Sequence, residues 1–210
     1  MASVSHGISC YGRGFFDEAI SYLTEGCKLC DKINLVIFHG LAHFWMGEAN
    51  YELENFKDSE DDYQQAIAIL EHNRIIPSWV NVIRSARIRM QAVGRKPEID
   101  LDRLISYADG NRSRIWDGWL NRNIAVIMLF LDDQHLVSAE DWINKAIKAD
   151  STHGTMLNLG RNFTLHAGLY KRRGQHDNAA TALKTAIEIF KRCESDGFLK
   201  LAENQLASIG

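Results

Sequence analysis

The sequence predicts an all-α fold of about five helix-turn-helix repeats, each roughly 40 residues long, closed by one further helix. Three observations carry that prediction. There are only two prolines, Pro77 and Pro97, so long stretches keep every backbone donor a helix needs. A small–large–small pattern recurs as Ala19-Leu23-Gly26, Ser59-Tyr63-Ala66, Ala139-Ile143-Ala146 and Ala179-Leu183-Ala186. Residues four and seven apart share one face of a helix, and the small ones let a neighbouring helix come close. Finally, the leading small residue falls at 19, 59, 139 and 179, intervals of 40, 80 and 40 that place a missing copy near 99.

Taken in order, the elements form one domain with repeats at 1–32, 33–74, 75–110, 111–151 and 152–194. The first repeat has about eleven residues for its leading helix, which leaves Val4, Ile8 and Tyr11 towards an exposed end. In the later repeats the leading helices run Val36 to Leu53, Trp79 to Val93, Ile115 to Leu131 and Leu157 to Arg173. They stop at Glu54-Asn55, Gly94-Arg95, Asp132-Asp133-Gln134 and Gly174-Gln175, where Gly and polar residues let an antiparallel pair reverse. The weak third copy is Asp100 to Ala108, displaced by about two residues behind Pro97, which lies in the turn. The cap covers 196–208: Asp196 starts a helix from Gly197 to Ser208, with Phe198, Leu201 and Leu206 inward. Ala179 belongs to the seam between paired helices, and Ala182 lies off it.

The last repeat carries Ala167, Tyr170, Gly174, Ala179, Leu183 and Ala186; the first carries Gly7, Gly14, Ala19, Leu23 and Gly26; the second carries Gly47, Ser59, Tyr63 and Ala66. This set resembles the small, aromatic and alanine-like positions of the tetratricopeptide repeat, and the resemblance implies a right-handed α-solenoid. The third and fourth copies are degenerate, and the period exceeds the roughly 34 residues of the standard motif. HEAT and armadillo repeats share the longer period and are the alternative fold. Over roughly 100–208, the strings Ser138 to Asp150, Leu159 to Phe163 and Ala186 to Phe198 resemble the C-terminal repeats of bacterial adenylate/guanylate-cyclase-like or LuxR-type signalling ATPases. The likeness departs at Glu194-Ser195, where a Gly-Ala pair is expected, and at Phe198, where Trp is expected. It implies the C-terminal part of a larger protein whose other domains would carry any cyclase or ATPase activity.

Composition excludes several classes. A net charge of −3 is no strongly basic nucleic-acid footprint. Met1 to His6 has neither the basic nor the apolar region of a secretory signal, so a cytoplasmic location is expected. The longest apolar run, Ile124 to Leu131, has eight residues against the roughly 20 needed to span a bilayer, so no membrane is expected among the partners. Cys10, Cys27, Cys30 and Cys193 read as small core residues rather than a disulfide framework.

No phosphate-cradling G-x-x-x-x-G-K-[ST], dinucleotide G-x-G-x-x-G or G-x-S-x-G nucleophile elbow occurs in the chain. His39 and His43 have the spacing of zinc-peptidase ligands, but Gly40 stands where the general-base Glu belongs, and no third ligand follows at a standard spacing. Cys27 and Cys30 form a C-x-x-C at the end of a helix, the wrong pole of the dipole for a stabilised thiolate. Asp132, Asp133 and His135 fall in a turn, where capping explains them. The expectation is therefore no catalytic residue, no metal and no cofactor.

The leading functional expectation is a non-catalytic protein–protein interaction or regulatory module. The resemblance implies a peptide-binding groove on the leading helices: Phe44, Glu48, Tyr51 and Glu52; Asn81, Arg84, Ile88 and Gln91; Asn121, Ile124 and Met128; Arg161, Thr164, Lys171 and Arg172. The expected partner is a protein or peptide, other domains of the same parent protein, or a second copy meeting the first repeat. Val4 and Ile8 stand where chaperone-binding relatives grip a C-terminal carboxylate, which disfavours that ligand. The alternatives are an RNA- or DNA-binding solenoid, resting on Arg84, Arg87, Arg89 and Arg95, and a zinc-dependent hydrolase using His39 and His43.

Overall fold

A computed structural model describes residues 1–95 and 99–209. Pro97 and the side chain of Arg95 lie outside the described residues. Among the described residues there are eleven α-helices and no strand. Five helices, α1 (Ala2–Arg13), α2 (Phe16–Lys32), α3 (Val36–Glu52), α4 (Phe56–His72) and α5 (Pro77–Arg95), lie in a first compact unit, Met1–Ile99. Six helices, α6 (Leu101–Asp109), α7 (Asp117–Leu131), α8 (Leu136–His153), α9 (Met156–Arg172), α10 (His176–Arg192) and α11 (Asp196–Ala207), lie in a second, Asp100–Gly210. Among the described residues, no helix is long and apolar enough to cross a membrane.

The small residues of the repeat pattern set how closely the helices meet. In the first unit a Cβ on Gly7 would stand 2.6 Å from Leu23 Cγ, and one on Gly26 would stand 2.5 Å from Val4 Cγ2. As the number rises along α1 it falls along α2, which makes the pair antiparallel. Gly40 against Leu70 and Gly47 against Tyr63 repeat the relation for α3 and α4, and Gly160 against Phe190 repeats it for α9 and α10. All four copies of the pattern are buried: Ala19, Ser59, Ala139 and Ala179, then Leu23, Tyr63, Ile143 and Leu183, then Gly26, Ala66, Ala146 and Ala186. In the second unit Ala125, Ile143 and Leu169 form a core joining α7, α8 and α9.

The turns keep a finer register than the sequence pattern reveals. A residue in the left-handed region closes a helix at Gly14, Asn34, Glu54 and Arg74, and again at Gly154, Gly174 and Glu194, every twenty residues within each run. At each, the next residue's N–H reaches back over the helix end: Phe15 to the Cys10 carbonyl, Leu35 to Cys30, Asn55 to Asn50, Ile75 to Leu70, Thr155 to Asp150, Gln175 to Tyr170 and Ser195 to Phe190. This is the Schellman closure, which satisfies carbonyls that a helix end would leave orphaned.

Between these runs the register lapses. Helix α5 continues through Gly94, α6 has only nine residues with Leu104 as its buried residue, and 3-10 turns at Arg114–Trp116 and Asp133–His135 replace the left-handed closures. The third and fourth repeats, degenerate in sequence, are thus the ones whose turns differ.

Four placements correct the sequence expectations. Val4 and Tyr11 are buried, because α2 and α3 cover α1. Leu201 is 48% exposed: α11 packs on α10 along one line that takes Phe198 and Ala202, and Leu201 falls beside it. Ala182, expected off the seam, is 7% exposed, because α10 is covered by both α9 and α11. The cap helix also begins with Ser195 at its N-cap, and Asp196 sits in its first turn.

Candidate functional site

Besides the helices next to them in the chain, α3 touches both α1 and α5, and α7 touches α9. No comparable contact joins α2 to α4 or α8 to α10 among the described residues. Within each unit the leading helices therefore form an inner layer and the second helices flank it. This layering decides the fate of the expected groove residues. Phe44, Glu48, Ile124 and Met128 are buried, since α3 and α7 have neighbours on more than one side. They cannot be offered to a peptide and leave the expected surface. Tyr51, Glu52, Asn81, Arg84, Ile88, Gln91, Asn121, Arg161 and Thr164 are half-buried, and Lys171 and Arg172 are exposed.

Glu48 does something else. It is fully buried, accepts from Tyr63 Oη at 2.7 Å and Arg89 Nη2 at 2.9 Å, and receives a longer contact from Tyr11 Oη at 3.4 Å. Arg89 also donates to Tyr63 Oη at 3.1 Å and lies with its guanidinium 3.8 Å from the Tyr51 ring centre. One carboxylate thus links α1, α3, α4 and α5. Burial opposes charge on Arg89, yet the facing Glu48 carboxylate outweighs it and holds the guanidinium above its ordinary value. Burial, reinforced by Glu48, pushes the Tyr63 phenol well above its own. Both groups therefore hold their protons at neutral pH.

The arginines of the nucleic-acid alternative are similarly engaged. Arg84 contacts Glu71, Arg87 Nε donates to Glu60 at 2.6 Å, and Arg89 is buried on Glu48. Among the described side chains, which leave out that of Arg95, the clustering in sequence makes no open basic stripe.

In the second unit Asp150 is buried, accepting from Asn162 Nδ2 at 2.7 Å and from Thr155 Oγ1, with Gly118 leaving room for its carboxylate. Burial raises its pKa above the ordinary value. Glu140 takes Arg173 Nη1 at 2.5 Å and faces His166 Nε2 at 3.6 Å, while the His166 ring stacks on Tyr170. Asp132 caps its own turn by accepting from the backbone N–H groups of Gln134 and His135, and Asp133 pairs with Arg172. Asp132 thus plays the capping role expected of this turn, while Asp133 forms an ion pair instead.

A different constellation forms around the histidine pair. His39 and His43, one turn apart on α3, face Cys27 near the end of α2, and one ligand atom from each lies within 4.8 Å of the others. His43 Nδ1 lies 2.9 Å from Asp62 Oδ1, and Asn50 Nδ2 donates to Asp62 Oδ2 at 3.0 Å. A carboxylate only accepts, so Nδ1 is the donor here, and Nε2 is the nitrogen that carries the lone pair in the neutral form of the ring. Burial, followed by the charge of Asp62, pushes the Cys27 thiol up to about 12, so the free thiol holds its proton at neutral pH. Burial, followed by His43, lowers His39 from its ordinary 6.5 and favours the neutral ring. The third donor was invisible in the sequence because it lies on the preceding helix, twelve residues before His39.

No family model matches the chain, and no curated protein matches it either.

Proposed function

We propose that this chain is a non-catalytic protein-interaction module made of tetratricopeptide-like helix-hairpin repeats, which binds a peptide or protein segment along the inner layer of leading helices. The observation that supports it is the layering itself: α3 touches both α1 and α5, α7 touches α9, and the second helices stand outside. Such a layer presents residues from successive repeats side by side, the arrangement an extended ligand needs. The buried polar side chains also favour this reading, since Glu48 is held by Arg89 and Asp150 by Asn162.

Surface charge gives each unit its own character. Glu52 and half-buried Tyr51 supply an acidic and aromatic edge in the first unit; Arg161, Lys171 and Arg172 supply a basic one in the second. Charge on such a rim sets register and association rate more than affinity. The likeness of residues 100–208 to the repeats of cyclase-like signalling proteins supports a partner among the other domains of such a protein. Affinity capture from source lysate, followed by mass spectrometry, tests the reading. A partner retained by the native chain and lost with Glu52→Lys or with the pair Arg161→Glu and Lys171→Glu is expected, each variant keeping its helical circular dichroism. Capture indifferent to all three substitutions would overturn it.

A further inference from the structure

We propose that Cys27, His39 and His43 form a binding site for a borderline-soft divalent metal ion of the Zn(II) class, with solvent in the fourth position. One thiol and two imidazoles are a donor set such ions prefer over the hard cations, which take oxygen. Bond lengths of about 2.3 Å to sulfur and 2.0–2.1 Å to nitrogen put the donors of a tetrahedral ion roughly 3.3–3.6 Å apart. The three donors here already lie within 4.8 Å, so small side-chain rotations close the shell without moving a helix. His39 and His43 share one face of α3 by their spacing of four, and α2, which carries Cys27, packs directly on α3.

The surroundings strengthen the assignment. Asp62 on α4 holds the Nδ1 proton of His43 and is itself held by Asn50. A carboxylate behind a ligating histidine fixes the tautomer, aims Nε2 and raises its basicity. Asp31 is a second nearby negative charge, felt by both Cys27 and His39. A bound dication would meet a thiolate, two neutral rings and these carboxylates, and the thiol proton would pass to solvent. Gly40 occupies the place of a hydrolase base, and Asp62 is engaged by His43 and Asn50, so the role assigned to the site is to hold an ion that clips α2 to α3. This assignment stands independently of the interaction module proposed above.

The test is titration of the full, tag-free chain with Co(II) after chelator treatment, followed by Zn(II). One cobalt per chain is expected, with a thiolate-to-cobalt charge-transfer band in the near ultraviolet that disappears as zinc displaces it. Cys27→Ser should abolish the band and Cys30→Ser should leave it. Asp62→Asn should keep the band but weaken affinity by about 10–100-fold. Should Cys27→Ser fail to fold, His39→Asn, at a half-buried position, gives the same reading through loss of affinity. Absence of the band in the native chain, or its survival in Cys27→Ser, overturns the site; unchanged affinity in Asp62→Asn overturns the role of that carboxylate.

Discussion

Gly47 of α3 lies against the ring of Tyr63 in α4, so close that a Cβ would stand 2.7 Å from Cδ1. The ring cannot retreat easily, because its hydroxyl is tied to Glu48 and Arg89. Gly47→Ala should therefore overpack the seam and cost about 1–3 kcal/mol. Gly168, mid-helix in α9 with nothing within 4 Å of its virtual Cβ, provides the contrast. Gly168→Ala should stabilise by about 0.5–1 kcal/mol through helix propensity. Urea unfolding of both variants decides the matter, and equal signs would contradict the seam.

Glu194 adopts φ 54° between α10 and α11, and Arg74 adopts φ 53° between α4 and α5. A left-handed backbone costs an L-residue roughly 1–2 kcal/mol, and glycine escapes that cost while losing more chain entropy. Glu194→Gly should raise stability by a net of about 0.5–1 kcal/mol. Gly174→Ala, at φ 71°, should lower it by about 1 kcal/mol. A lower urea midpoint for Glu194→Gly would contradict the closure.

Breaking the Glu48–Arg89 pair should be severe. Arg89→Leu leaves a fully buried carboxylate without its cation, which costs about 3–5 kcal/mol. Tyr11→Phe removes the long 3.4 Å contact to the same carboxylate and should cost less, about 1 kcal/mol. Chemical denaturation separates them, and comparable losses would show that Glu48 does not depend on Arg89.

Acid should loosen the second unit in two stages. Burial holds His166 below its ordinary 6.5, and the Arg173 hydrogen bond, against the opposing effect of burial, holds Glu140 below its ordinary 4.5. In each case the folded state binds its proton less readily than the unfolded chain. The contribution of His166 is therefore complete above pH 6.5 and is lost as pH falls through its lowered folded value; that of Glu140 is complete above 4.5 and is lost further down. His166→Phe keeps a ring for Tyr170 and should flatten the first stage, while Glu140→Gln should flatten the second. Stability–pH curves parallel to that of the native chain would remove both assignments.

The repeat was legible because it is written in side-chain size. Ala19, Ser59, Ala139 and Ala179 must be small where helices meet, so the spacing located four hairpins and the leading helices to within about two residues. The twenty-residue turn register was not legible: Asn34, Glu54, Arg74 and Glu194 hold left-handed positions that only glycine would have advertised. Which of the expected surface residues stay exposed was only partly legible. Carrying positions over helix by helix treated one face as open, whereas α3 and α7 are enclosed on several sides, which is why Phe44 and Ile124 went inward. His39 and His43 were visible as a helical pair, but Cys27 reaches them only across a hairpin, and no sequence spacing encodes that approach.

The even spacing of left-handed closures also restricts how this chain can change in length. One residue added inside α9 would turn every later side chain of that helix by roughly 100° and carry its seam residues towards water. Insertions and deletions should therefore survive only in whole helix-and-turn quanta, or in the stretches around 110–116 and 132–135, where the count is already broken by 3-10 turns. Those two stretches are the joints at which a graft, a permuted terminus or a lengthened loop leaves the surrounding helices in phase.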